Sequence, residues 1–234
     1  MGGLFGIGGG LIAIPALGVL FGLDQQLAQG TALVMVVPNV LLALWRYHQR
    51  NRIELRHAVP LSLCSFVFAW LGSIWAVGLD AHSMRLGFVG FLVALAVWNV
   101  ARMFMKVTPP SAELRYAWPW LGVLGSFAGT MGGLFGVGGA VVATPILDQC
   151  VRYHPGGGAG AVAGAGGAKV PWVTLVTYGV HHSVDWGVGV PLAVGGLLSI
   201  SWGVKLAHAL PEKVLRAMFC VFLVGCAVML GFEL

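Results

Sequence analysis

Met1–Leu17 reads MGGLFGIGGGLIAIPAL and Met131–Leu147 reads MGGLFGVGGAVVATPIL, so one glycine-rich segment occurs twice in the chain. Eleven of the 17 positions are identical at an offset of 130, and most of the others exchange one small or apolar residue for another. The correspondence continues at an offset of 131. There Tyr47, Glu54, Pro60, Gly72, Ala76, Arg85 and Phe91 find Tyr178, Asp185, Pro191, Gly203, Ala207, Arg216 and Phe222. The 234 residues therefore divide into a first repeat, 1–105, a linker, 106–117, and a second repeat, 118–234. Duplication of this kind in a hydrophobic chain is a frequent mark of transporters, which build a midplane site between two repeats.

Composition sets the class. Apolar residues make up 58% of the chain and charged ones only 9%, against roughly 25% charge in a soluble domain. Thr31–Trp45, Ala58–Leu79 and Gly87–Val100 are among the windows that contain no charge, and several such windows are near the ~20 residues that span hydrocarbon. The net charge of +5 is no nucleic-acid footprint, because the arginines cluster at segment ends as topology signals. The four cysteines show no paired metal spacing and read as free thiols. No cleavable signal peptide is expected. The first repeat has no counterpart to Trp118–Thr130, so its opening helix is expected to be incomplete in this chain.

The expected fold is an all-α polytopic membrane protein, since unpaired backbone is not tolerated in lipid. Apolar segments cover 1–22, 26–46, 58–79 and 83–105, then 118–150, 158–180, 187–208 and 212–232. A plain count gives eight crossings and parallel repeats. Charge argues otherwise. The turn after 46 holds Arg46, Arg50, Arg52 and Arg56, and the linker holds Arg102, Lys106 and Arg115, so both should be cytoplasmic. Its second-half equivalent, His181–Asp185, has neither Lys nor Arg, whereas the next connection has Lys205, Lys213 and Arg216. Both halves satisfy the rule only if segment 118–150 enters and leaves on one side. Its 33 residues, with Gly132–Gly133 and Gly138–Gly139, allow a break between two half-helices. The repeats are then inverted, each opening with a glycine-broken re-entrant or half-helix segment.

Gly6, Gly8, Gly9 and Gly10, with Gly136, Gly138 and Gly139, resemble a dinucleotide fingerprint only superficially, for no soluble strand–turn–helix unit surrounds them. Within a membrane such clusters, followed by Pro15 or Pro145, serve close helix packing. Alternatively they break a helix, so that freed N–H groups and a positive helix end face a small anion. Two copies in equivalent positions favour the second. The pattern GGLFGIGGGLIAIPAL, followed by GTAL at Gly30–Leu33, by Asn39 and by a basic turn, resembles the TauE/SafE family. Its members are described as transporters of sulfite, sulfonate and related organosulfur anions. The resemblance implies a bacterial-type carrier of the inner membrane, often an exporter, driven by an ion gradient (H+ or Na+). The second half departs from the pattern: matching Pro38 to Pro171 sets Thr31 opposite Gly164 and Asn39 opposite Trp172.

Lys169 is the sharpest single residue, 11 residues into segment 158–180. An ammonium at that depth costs roughly 2.5–3.5 kcal/mol, so it needs a partner or a wet cavity. It pairs with Asp148, snorkels, or serves as counter-charge to a transported anion. Trp172, three residues on, can wall the same cavity. Thr31 and Asn39 can hydrogen-bond an oxyanion or bridge helices. His181, His182 and Asp185 invite a metal, but no further ligand lies near them in sequence, so no metal or cofactor is expected. No catalytic pair lies at depth, which argues against a membrane enzyme. An anion channel fits the duplicated breaks nearly as well as a carrier.

Overall fold

The structure is a computed structural model and describes residues 9–50, 55–104, 118–137, 159–209 and 212–232. Among these residues the chain is helical and contains no strand. The helices are α1 (Gly10–Phe21), α2 (Gln25–Arg50), α3 (Leu55–Gly78), α4 (Ala81–Phe104), α5 (Trp118–Phe135), α6 (Ala159–Val180), α7 (Trp186–Ala209) and α8 (Glu212–Phe232). The expected apolar segments thus appear as helices, while much of 1–22 and 118–150 lies outside the described residues. Within α4, Ala81–Ala101 is long and apolar enough to cross a membrane, with a mean hydropathy of 1.7. Shorter apolar stretches occupy α1, α3, α5, α7 and α8.

The core is largely apolar, but unlike that of a water-soluble bundle it is accompanied by an apolar exterior. Gln25, Gln29, Thr31, Asn39, Ser73 and Thr174 are buried, whereas Trp70, Trp75, Val97, Val176, Leu198 and Val221 are exposed. An apolar outer surface of that extent matches lipid rather than water.

Small residues set how closely the helices pack. The most extensive contact is α3 on α5, where a Cβ on Gly129 or Gly133 would overlap the backbone of Ser65 or Ala69. Such close approach replaces the hydrophobic drive that lipid does not supply between helices. Helix α2 is central and packs on α1, α6, α7 and, less extensively, α4.

Named contacts give the helix directions. The Gln26 Nε2 donates to the Ala76 and Leu79 carbonyls, joining the start of α2 to the end of α3. Gln29 meets Tyr178 and Thr31 meets Asp185, so the start of α2 also lies at the end of α6. Gly189 faces Thr31 and Val34, and Gly196 faces Met35 and Asn39. Helix α2 therefore runs antiparallel to α3 and α6 and parallel to α7. At the turn into α4 the Asp80 Oδ2 accepts the Ser83 N–H at 2.9 Å, which holds its carboxyl below the ordinary range.

Gly133→Leu should abolish folded, monodisperse protein, because the Ala69 backbone cannot move away. Gly90, exposed in α4 with open space around it, should accept alanine with a gain of about 0.5–1 kcal/mol from lost chain entropy. Size exclusion and Tm in detergent would check both.

Candidate functional site

The two copies of the glycine segment meet. Helix α1 starts after Gly9, whose φ of 85° is left-handed, and ends at Gly22, φ 63°. The Gly9 carbonyl accepts from Ile12 and Ala13 N–H at 3.1 and 3.0 Å. This leaves the Gly10 and Leu11 N–H groups outside the helical ladder, at the positive end of the helix dipole. Helix α5 runs unbroken through Gly132–Gly133 and stops at Gly136, φ 65°, whose N–H bonds the Gly132 carbonyl at 3.0 Å. That is a left-handed C-cap, a geometry glycine adopts without steric cost. The helix thus ends at Gly136, between the Gly132–Gly133 and Gly138–Gly139 pairs that allowed a break in the sequence, and Gly138–Gly139 lies outside the described residues.

A Cβ on Gly10 would stand 3.6 Å from the Gly136 carbonyl oxygen and from the Val137 Cα, and 3.0 Å from Val36 Cγ2. A Cβ on Gly136 would stand 3.4 Å from the Gln29 carbonyl oxygen and 3.5 Å from its Cβ. The start of α1, the end of α5 and the first turns of α2 thus converge at one point. Phe135 fixes the end of α5 there by stacking on Phe91 at 4.7 Å, with Phe88 tilted at 5.8 Å.

Tyr178, fully buried on α6, closes the junction. Its hydroxyl lies 3.0 Å from Gln29 Oε1 and 3.2 Å from the Leu134 carbonyl. The Leu134 carbonyl is one of those a helix end leaves free. A phenol has one proton, so it serves one of the two oxygens at a time. Turning the Gln29 amide over would let its N–H donate to the phenol while the phenol donates to Leu134. Either arrangement leaves hydrogen-bonding capacity at Gln29 unused. Gln29 Nε2 and Gln25 Nε2, one turn apart, have no hydrogen-bond partner among the described residues, and their side chains are 0% and 2% exposed.

The remaining expected site residues lie elsewhere. Thr31 Oγ1 accepts the Asp185 N–H at 3.0 Å, and Gly30 abuts the Ser183 backbone, so Thr31 bridges α2 to the turn before α7. Asn39 is buried facing Gly196 of α7. Two residues separate Thr31 from Gln29, or ~200° around the helix, and the two face different neighbours. Lys169 is exposed and shares one stripe of α6 with Trp172, Val176 and Val180. Nine residues separate it from Tyr178, which by helical periodicity is the opposite face, ~13 Å along the axis. Lys169 and Trp172 are thus not brought to the glycine junction. Gly6, Gly8, Gly138 and Gly139 lie outside the described residues, as does Asp148. Asp185 caps α7 through Gly187 and Val188 N–H at 2.9 and 3.3 Å.

Sequence reasoning missed Gln25, Gln29 and Tyr178. One signal was present: Tyr178 is the repeat partner of Tyr47, and glutamines are costly at the head of an apolar segment.

A helical protein with polar groups inside and an apolar exterior defines a membrane-embedded class, and comparison with known proteins gives its family. The model of the sulfite exporter TauE/SafE family matches residues 1–230, and the chain belongs to that family. It is 26% identical over 225 residues to a probable membrane transporter protein of Methanocaldococcus jannaschii, covering 92% of this chain and 82% of that one. It is 27% identical over 234 residues to a probable membrane transporter protein of Xylella fastidiosa, covering 97% and 88%. A third, from Bacillus subtilis, is 21% identical over 254 residues, covering 97% and 91%. No solved structure matches the chain. The protein is a membrane transporter and not an enzyme.

Gly136→Ala should cost about 1–2 kcal/mol for a left-handed alanine, and Gly136→Asn distinctly less, since Asn tolerates that conformation. Tyr178→Phe should cost about 1–3 kcal/mol by leaving buried partners unpaired. Thermal unfolding in detergent reads all three.

Proposed function

We propose that the protein is a multi-pass secondary transporter of the inner membrane that moves a small sulfur-containing anion (sulfite, thiosulfate or an organosulfonate) by alternating access. An ion gradient of H+ or Na+ drives it. The observation that carries this is the convergence of the two glycine segments, with the positive end of α1 directed at the break after α5. A buried helix N-terminus favours an anion without requiring a fixed counter-charge. The family's description as a sulfite exporter supports the substrate class.

Two inverted repeats, 1–105 and 118–234, supply the moving parts. In a chain of eight plain crossings, α2 and its repeat partner α6 would run the same way. Their antiparallel course instead supports a segment 118–150 that enters and leaves on one side. Exchange of the halves also turns the α3–α6 contact into the α7–α2 contact, and both pairs are in place. The direction agrees with charge: the arginines around the α2–α3 turn and Lys205 and Lys213 around the α7–α8 turn fall at one end, and the His181–Asp185 turn, which has neither Lys nor Arg, at the other. Thr31 and Asn39 line the face between α2 and α7 along which one repeat would slide on the other. Lys169, with Trp172, would meet the anion before or after the glycine junction rather than within it.

Currents on solid-supported membranes and thermal shifts, across a panel of sulfur anions with and without a pH or sodium gradient, test the function. A saturable, gradient-dependent current that shows counterflow is expected; a current without counterflow stimulation would mean a channel. Lys169→Met should weaken anion capture about tenfold or more in a folded protein; unchanged affinity removes Lys169 from the path. In a cysteine-free background, cysteines at Ser183 and Asp24 should both be labelled from the periplasm. Labelling of Ser183→Cys from the cytoplasm would overturn the inverted topology.

A further inference from the structure

We infer that Gln25 and Gln29 hold the transported anion through neutral amide N–H groups at the Gly10–Gly136 junction. The inference rests on the anion carrier proposed above and names the ligands of its site. Three glutamines open α2, and their fates differ. Gln26 donates to the Ala76 and Leu79 carbonyls and ties α2 to the end of α3. Gln25 and Gln29 lie one turn apart, on the same face of α2. Both are almost wholly buried, and their amide nitrogens bond to nothing among the described residues.

A buried donor without a partner costs about 1–3 kcal/mol, a penalty that a packing role would have removed with leucine or methionine. Buried donors of this kind, Gln29 at the end of α5 and Gln25 one turn away, are what a site waiting for an acceptor requires. Gln29 stands directly against Gly136, and Gly136 against Gly10. The N–H groups at the start of α1 therefore lie on the far side of the same small space. Whichever way the Gln29 amide is turned against Tyr178, at least one of its N–H groups is left without the phenol. The chemistry suits an oxyanion with several acceptor oxygens. Hydrogen bonds to a charged ligand hold it firmly, while the absence of a buried ion pair with these amides lets it leave, as a carrier requires.

The test measures concentration-dependent currents of sulfite and thiosulfate in proteoliposomes, with the Tm of each variant. Gln25→Leu should fold with a Tm no lower than wild type, since its amide nitrogen has no partner to lose among the described residues, yet raise KM about tenfold or more. Gln29→Leu should raise KM similarly, and Gln29→Asn, which keeps the amide on a shorter stem, should fall between. If Gln29→Leu does not fold, Gln25→Leu and Gln29→Asn decide. A saturable wild-type current with unchanged KM in the glutamine variants overturns this assignment and leaves the carrier standing. A folded wild type with no current and no thermal shift for any sulfur anion overturns the carrier proposal, and this assignment with it.

Discussion

A helix end buried among other helices leaves carbonyl groups that the helix itself cannot serve, and the rest of the architecture depends on satisfying them. Helix α5 spans 18 residues and ends where Gly136 turns the chain. Its last carbonyls need donors. Gly136 caps one through its own N–H, and Tyr178 stands in hydrogen-bond range of the Leu134 carbonyl from the neighbouring α6. Because Tyr178 also touches Gln29, a single phenol joins the end of α5, the end of α6 and the start of α2. The site is thereby defined by three elements remote in sequence, the widest pair separated by 149 residues.

The same junction opposes two helix ends of opposite polarity. The start of α1 presents donors and the end of α5 presents acceptors, within van der Waals reach of each other. Side chains on these breaks would fill the space, so glycine is needed where backbones face each other. Elsewhere glycine has a plainer task. Gly129 and Gly133 let α5 press against α3, and in lipid such contact supplies much of the attraction between helices.

The helical class, the repeat and its glycine segments were legible in the sequence. Their residues are locally repeated and the apolar excess is too large for a soluble chain. Convergence at Gly10 and Gly136 was consistent with the repeat but required the fold. Thr31, Asn39 and Lys169 were singled out as polar residues in apolar helices, which identifies a group that needs an explanation but not where it points. A few residues of offset decided each case. Thr31 stands ~200° from Gln29 on α2 and Lys169 opposite Tyr178 on α6, so neither faces the glycine junction. The glutamines escaped notice because the head of an apolar segment reads as solvated until packing is known.

By itself, then, the sequence determined that this chain is a helical membrane protein that carries one glycine-rich segment twice. Composition and internal identity are properties of the chain alone, and lipid permits little other than helices for such segments. Tertiary structure alone decided that α2 and α6 run antiparallel, that α5 ends at Gly136, and that the buried Gln25 and Gln29 amide nitrogens have no partner among the described residues. Those outcomes depend on which helix faces meet, and facing is set by long-range packing between segments more than a hundred residues apart in the chain.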